Sequence, residues 1–443
     1  MRTRWGGLIL GAVAALSMVG IAAAQDDQKS NSKDQGQDAV KQDDQKSKDQ
    51  ELEAIKKRLE ALEQEKAQRD AAASDVHGAD PAEAKWYDRV KVGGGVRASF
   101  RSQEDLAPNG RTYSYGFNLD SARLYTGGKI VDIGTSNISA TLNAEFTETT
   151  IGGPANGFSA LDAIAQFNIQ DEFNIWMGRM LPACDRSDSD GPYYLIAWDF
   201  PETSIAFNRA TNGFGRDDGI TIWGDVKNFK YWVGAYSGLN NTTNSADHLL
   251  YAARIQYDFL DQEKGYYLLS TNHGKQSILA LGAAVNYQSA TSGVPGDPKN
   301  TTNFEIDALF EKKFEFGVPT IEMAYYYYGR GGYGGIGSGG FGGFVDGQGQ
   351  AFMTTVAWLI PYKVGWGEFQ PLVRYQGYDE KKADSKNAFK NNYDRWDVGV
   401  NYVMDGHNAR ISIIYSVMNH HDLPALTSDK ADHLFTIGSQ VQF

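Results

Sequence analysis

From Trp86 to Phe443 apolar and polar side chains alternate one by one, and that rhythm confines the chain to β-structure. Ile138, Ala140, Leu142, Ala144 and Phe146 alternate with Ser139, Thr141, Asn143, Glu145 and Thr147. Leu279, Leu281, Ala283, Val285 and Tyr287 share one face, and Phe304, Ile306, Ala308 and Phe310 stand opposite Asn303, Glu305 and Asp307. Trp396, Val398, Val400 and Tyr402 alternate with Arg395, Asp397, Gly399 and Asn401. In a soluble sandwich the polar face would meet water and the apolar faces would share a core. In a membrane barrel the apolar face meets lipid and the polar face lines a lumen.

Length and ends of the segments favour the barrel. Many run about 10 to 14 residues, suiting a tilted membrane-spanning strand better than the ~5–6 of a soluble one. Their ends carry Tyr, Trp and Phe, as an interfacial girdle would. Forty-nine Gly against 12 Pro and one Cys fit a large antiparallel protein with many turns. A mean hydropathy of -0.45 excludes a helical membrane bundle. The formal charge of -13 argues against a nucleic-acid partner.

The alternation predicts strands at 88–101, 116–131, 137–149, 159–169, 173–179, 218–226, 229–238, 248–259, 276–288, 302–313, 318–329, 350–360, 367–379, 393–404, 408–419 and 432–443. Short turns are expected near 132–134, 170–172, 227–228, 314–317 and 405–407, and long polar loops at 102–115, 180–217, 289–301, 330–349, 380–392 and 420–431. An antiparallel barrel of about sixteen strands is therefore expected, its edges removed by closure and both termini on the periplasmic side. Its last strand ends on an aromatic, Phe443, which resembles the recognition end of bacterial outer-membrane barrels.

The residues ahead of the barrel read as export and spacer segments. Arg2 and Arg4, the apolar run from Gly6 and Ala22-Ala23-Ala24 predict a signal peptide over 1–24. Residues 25–50 are polar and lack the apolar side chains that would order them. In 51–70, Leu52, Ile55, Leu59 and Leu62 follow coiled-coil spacing, predicting a short periplasmic helix, with 71–85 a second linker. Cys184 can form no intrachain disulfide in a chain with a single Cys.

Several stretches resemble the phosphate-selective porins O and P. They are SARLYTGGKI (121–130), MGRMLP (177–182), GRDDGITIWGDV (215–226), YWVGAYSGLN (231–240), AARIQYDFL (252–260), FQPLVRYQGYD (369–379) and VGVNYVMDGHNARISIIY (398–415). The resemblance implies a trimeric sixteen-stranded outer-membrane porin whose third loop, 180–217, folds into the channel. It also implies an eyelet of basic side chains that select anions such as phosphate.

By alternation, Lys91, Arg97 and Arg101 share the polar face of the first strand, and Arg123, Arg254, Arg374, Arg395 and Arg410 also fall within strands. Arg209 and Arg216 lie in or at the end of the third loop. Lys91, Arg97, Arg101, Arg123, Arg209, Arg216, Arg254 and Arg374 are the pore-lining candidates, acting by charge-assisted hydrogen bonds to an anion. An acidic balance beyond residue 80 opposes anion selection unless the acid sits on outer loops and turns.

Other clusters support less. Asp185, Asp188 and Asp190 lack the glycine and closing Glu of a calcium loop and read as a solvated acidic stretch. His420, His421 and His433 do not fix three metal ligands. Ser412 and Ser416 with His407 lack a nucleophile motif, and no enzyme, cofactor or metal is expected. The Gly-rich 329–349 reads as an outer loop, and Tyr325 to Tyr328 as girdle and lumen lining. The function expected is passive diffusion of small hydrophilic solutes across a bacterial outer membrane. The alternative is a barrel that houses or anchors a partner such as an electron-transfer cytochrome.

Overall fold

The computed structural model describes residues 89–104, 113–147, 157–205, 215–239, 248–294, 297–329, 348–382, 392–421 and 431–443. The predicted signal peptide, linkers and coiled-coil helix lie outside the described residues, as does Arg209.

Sixteen strands form the wall. They are β1 (Val90–Glu104), β2 (Tyr113–Ile133), β3 (Ser136–Thr147), β4 (Gly157–Gln170), β5 (Phe173–Met180), β6 (Asp217–Val226), β7 (Phe229–Tyr236), β8 (Leu250–Asp258), β9 (Ile278–Val294), β10 (Asp297–Glu311), β11 (Val318–Gly329), β12 (Gln348–Leu359), β13 (Gly367–Lys382), β14 (Asn392–Asp405), β15 (Ala409–His421) and β16 (Ala431–Gln442). A two-residue piece, Lys363–Val364, folds back on the start of β13 inside a turn. Every strand pairs antiparallel with its sequence neighbour, and β1 pairs with β16, so the sheet closes. At the seam, Gly94 and Phe443 exchange backbone hydrogen bonds of 3.1 and 2.9 Å, which places the terminal aromatic in the closing ladder. Among the described residues closure leaves no strand of the wall without a partner on either side, the condition for a sheet to stand in hydrocarbon.

The alternation is turned inside out relative to a soluble protein. On β14, Trp396 and Val398 are 44% and 51% exposed, whereas Arg395, Asp397 and Asn401 are buried. On β15, Ile411, Ile413 and Tyr415 face outward, and Arg410, Ser412 and Ser416 face inward. Tyr326 and Tyr328 turn into the barrel and are buried, while their neighbours on β11 are only half-buried.

Two boundaries differ from the expectation. The long loop expected over 289–301 is mostly strand, because β9 and β10 continue pairing to Val294 and Asp297. Thr and Ser there keep the ladder going although the apolar face has ended. The second difference is on the side of short turns. Tight turns occur at Gly134 and Gly406, whose φ of 61° and 50° favour glycine. Between β8 and β9, by contrast, the whole of 259–277 intervenes, and its middle enters the barrel.

Candidate functional site

The connection between β5 and β6 is the third loop, described over 181–205 and 215–216. It contains two short helices, α1 (Arg186–Asp190) and α2 (Glu202–Ile205). It runs inside the barrel and is tied to most of the wall. The Ala183 amide donates to the Tyr236 hydroxyl at 3.2 Å, and Tyr326 on β11 donates to Asp185 at 2.9 Å. Ser187 reaches Glu322 on β11 at 3.0 Å. Farther along, the carbonyls of Tyr193, Leu195, Ile196 and Trp198 accept from Gln440, Arg410, Asn401 and Arg97 at 2.8, 2.5, 2.8 and 2.5 Å. Asp199 takes Arg101 at 2.8 Å, and Glu202 takes Arg395 at 2.8 Å. A loop in a barrel carries backbone groups that water would otherwise satisfy, and here wall side chains satisfy them.

Glycine makes the seats for its aromatics. A Cβ on Gly438 would lie 2.6 Å from the Trp198 ring, and one on Gly95 would lie 2.7 Å from the Tyr193 ring. Arg97 also lies over Trp198, its guanidinium 4.0 Å from the ring centroid, and Arg410 lies 5.9 Å from it. Gly438→Val is therefore expected to expel Trp198 and loosen the loop. Limited proteolysis should then cut within 190–205, and protection equal to wild type would refute this seating.

Residues 259–277 come in from the opposite end. Arg186 forks onto Glu263 at 2.9 and 2.6 Å and donates to the Leu269 carbonyl at 2.9 Å. The Tyr266 hydroxyl donates to the Leu181 carbonyl at 2.6 Å, and the Leu268 amide to the Ser189 hydroxyl at 3.2 Å. Ser270 donates to Asp190. Tyr266 stacks on Trp176 with centroids 4.5 Å apart. The two segments thus interlock in the lumen. The sequence clue to the second one is Tyr266-Tyr267-Leu268-Leu269, four apolar-bodied residues that break the period of two on the side where turns are short.

The basic candidates are mostly paired. Arg101 meets Asp120 and Asp199 at 2.8 Å each, Arg216 meets Asp162 at 3.2 Å, and Arg374 meets Asp397 at 2.8 Å. Arg123 pairs with Glu145, and Arg254 pairs with Asp307 and, at 3.5 Å, with Glu305. Arg395 shares Asp397 at 2.8 Å. Lys91 is exposed near the start of β1. Arg97 and Arg410 have no carboxylate ion pair among the described residues; both are buried, and each holds a loop carbonyl.

The acidic stretch expected in solvent is instead buried at Asp185 and Asp190, because α1 packs against β8, β11 and the 259–277 segment. Burial, then Glu322, pushes the Asp190 carboxyl well above its usual range. At the other end of the loop burial also acts upward on Asp199, but Arg101 and Arg395 outweigh it and the net shift is downward.

The remaining clusters are structural in geometry. No group of three metal-ligating side chains occurs among the described residues. His420 pairs with Asp432 at 3.0 Å, His421 with Asp394 at 2.5 Å and His433 with Glu104 at 3.7 Å. Ser412 donates to Asn401 and Ser416 to Asp397, both away from His407, which contacts the Thr271 carbonyl at 2.8 Å. Cys184 is buried, and its carbonyl accepts from Arg254 at 3.3 Å.

At the end of the barrel that holds 259–277, a cavity of about 280 Å³ is lined by Tyr125, Tyr194, Lys275, Asp405, His407 and Phe443, among others. His273 and His407 meet edge to face beside it, with ring centroids 4.6 Å apart. Burial, with neighbouring positive charge, lowers His407 to about 4, and burial lowers His273 to about 2. Both folded values lie below the ~6.5 of an unfolded histidine, so the unfolded chain binds more protons in between. Their contribution is present above pH ~6.5 and is lost as pH falls, toward 4 for His407 and toward 2 for His273. Thermal stability should drop across that window, and His407→Gln should flatten the drop. Parallel curves for the two proteins would exclude this histidine as a source.

No family model matches the chain, and no curated protein sequence matches it. Among solved structures, an anion-selective porin from Comamonas acidovorans is similar at 15% identity and a TM-score of 0.55, covering 80% of this chain and 99% of that one. Salmonella typhi OmpF, in a complex with daunomycin, is similar at 12% identity and a TM-score of 0.55, covering 80% and 97%. At such identities the likeness concerns the fold, which is the general porin fold.

Proposed function

We propose that the chain is a porin of the bacterial outer membrane, passing small hydrophilic solutes passively along their gradients. One observation carries this reading: a closed sixteen-stranded wall, apolar outside and polar inside, with a long loop strapped across its lumen. Such a loop narrows a water-filled tube without plugging the membrane around it. The C-terminal aromatic in the closing ladder and the export signal expected at 1–24 support the location. The lumen already holds two segments of the chain itself, which favours a channel over a sheath for a partner protein.

The sign of ion selection follows from pairing. The solved porin from Comamonas acidovorans is described as anion-selective, and the resemblance to phosphate-selective porins points the same way. In this lumen, however, Arg101, Arg123, Arg216, Arg254 and Arg374 are paired with carboxylates, and of the arginines on the described strands Arg97 and Arg410 lack such an ion pair and favour an anion. Weak selectivity is the reading that this geometry supports, with phosphate not singled out. Purified protein in a planar bilayer should give stepwise conductance, and a silent membrane would overturn the porin reading. A reversal potential close to zero in a KCl gradient is expected; a strongly anion-selective value would restore the arginine eyelet.

The outer face also bears on assembly. Around β7–β14, Tyr231, Tyr257, Trp358, Tyr362, Trp366 and Tyr402 form a belt at one end, as headgroup contact requires. At the same end, outward positions of β1–β5 such as Val92, Ile133, Ile138, Phe167 and Ile169 include no Tyr or Trp among the described residues. We propose that this sector faces protein in a homotrimer. Crosslinking through Leu142→Cys should yield covalent dimers in the membrane, and Val398→Cys, in the aromatic sector, should not.

A further inference from the structure

The lumenal surface that water reaches differs from the surface that carries the charge. Six uncharged residues lead the inward face of β3 and β4: Asn137 pairs with Asn168, Ser139 with Gln166, and Thr141 and Asn143 continue it as far as buried Asp162 and Glu145, which are tied to Arg216 and Arg123. All six are half-buried, in contrast to the buried arginines across the barrel. None carries a charge. Amides and hydroxyls donate and accept from one group, which matches the hydroxyls of a sugar or polyol and gives an ion little beyond what water offers.

An aromatic platform adjoins this wall. The Trp176 indole N–H donates to the Asn168 side-chain oxygen at 3.1 Å. Tyr267, from the 259–277 segment, lies 6.2 Å from Trp176 between ring centroids and 5.1 Å from Tyr266. Its two ring neighbours, Trp176 and Tyr266, are both buried inside the barrel. Yet 38% of its surface is open. A ring open to water on a segment that enters the barrel, beside a strip of neutral hydrogen-bonding groups, offers the two contacts a sugar uses: C–H groups against an aromatic face and hydroxyls against amides.

We propose that the Tyr267 ring and the Asn/Ser/Thr/Gln face of β3 and β4 form the solute-contacting strip of the channel, and that this strip favours neutral polyhydroxylated solutes such as monosaccharides over ions of equal size. The proposal rests on the porin reading and names its solute class. It assigns the arginines a different task, holding the third loop in place.

The test compares D-glucose, gluconate and glucosamine, which share a carbon skeleton and differ in charge, by swelling of proteoliposomes containing the full-length protein. Glucose should enter at least about threefold faster than either ion, as a single aromatic contact allows. Tyr267→Ala should abolish that advantage while raising KCl conductance, and Tyr267→Phe should retain it. Gln166→Glu should move the KCl reversal potential toward K⁺. Gluconate entering as fast as glucose, or a ratio unchanged by Tyr267→Ala in protein that still conducts, would overturn the strip and leave the porin reading standing. No swelling in any solute, with no conductance, would overturn both.

Discussion

Arg186→Ala is expected to raise single-channel conductance several-fold and make it noisy, while the barrel stays folded. Arg186 is buried at the meeting point of the third loop and the 259–277 segment, with Glu263, Leu269 and Gln256 all within 3.2 Å of its guanidinium. Without it Glu263 becomes a buried charge held chiefly by Gln256, at 2.9 Å. Stripping one partner from a buried pair costs about 3–5 kcal/mol. The strands lose none of their ladder bonds, so the cheapest relief is to part the two segments and admit water. Arg186→Lys keeps the charge but not the two-pronged geometry, and an intermediate effect is expected. Conductance traces identical to wild type in Arg186→Ala would mean that the two segments do not limit the channel.

A charge placed on the outside should act on the wall itself. Val398 lies midway along β14 with half its surface exposed, between outward-facing Trp396 and Val400. If that face meets hydrocarbon, Val398→Arg costs about 2–4 kcal/mol in folding free energy. Ser139→Arg, on the lumenal face of β3, should cost far less because its charge stays in water. Urea titrations of both variants folded into vesicles would separate the faces. Equal costs would remove lipid from the outer side of the barrel, and with it the membrane placement.

Much of the wall was legible because a strand states its facing in every second residue. The alternation at Ile138–Thr147, Leu279–Tyr287 and Trp396–Tyr402 predicts β3, β9 and β14 and the direction of their side chains. The inward arginines of β1, β2, β8 and β13 were found by the same parity. Their partners were not, because Asp120, Asp199, Glu145 and Asp307 come from other elements, and pairing across a barrel depends on register and on where a loop settles. The acidic residues of α1 misled for a related reason: composition alone reads three Asp in a loop as solvated, whereas packing against Tyr326, Glu322 and Ser270 buries Asp185 and Asp190.

By itself the sequence determined that the chain is a β-structure with one greasy and one polar face, long enough to close, because a period of two is a local property that each strand carries alone. Only the tertiary structure decided what fills the tube. The interlock of 181–205 with 259–277, the glycine seats under Tyr193 and Trp198, and the neutralised arginines join residues far apart in the chain. Such contacts have no local period to announce them; they arise when closure brings distant walls within reach of two inserted segments.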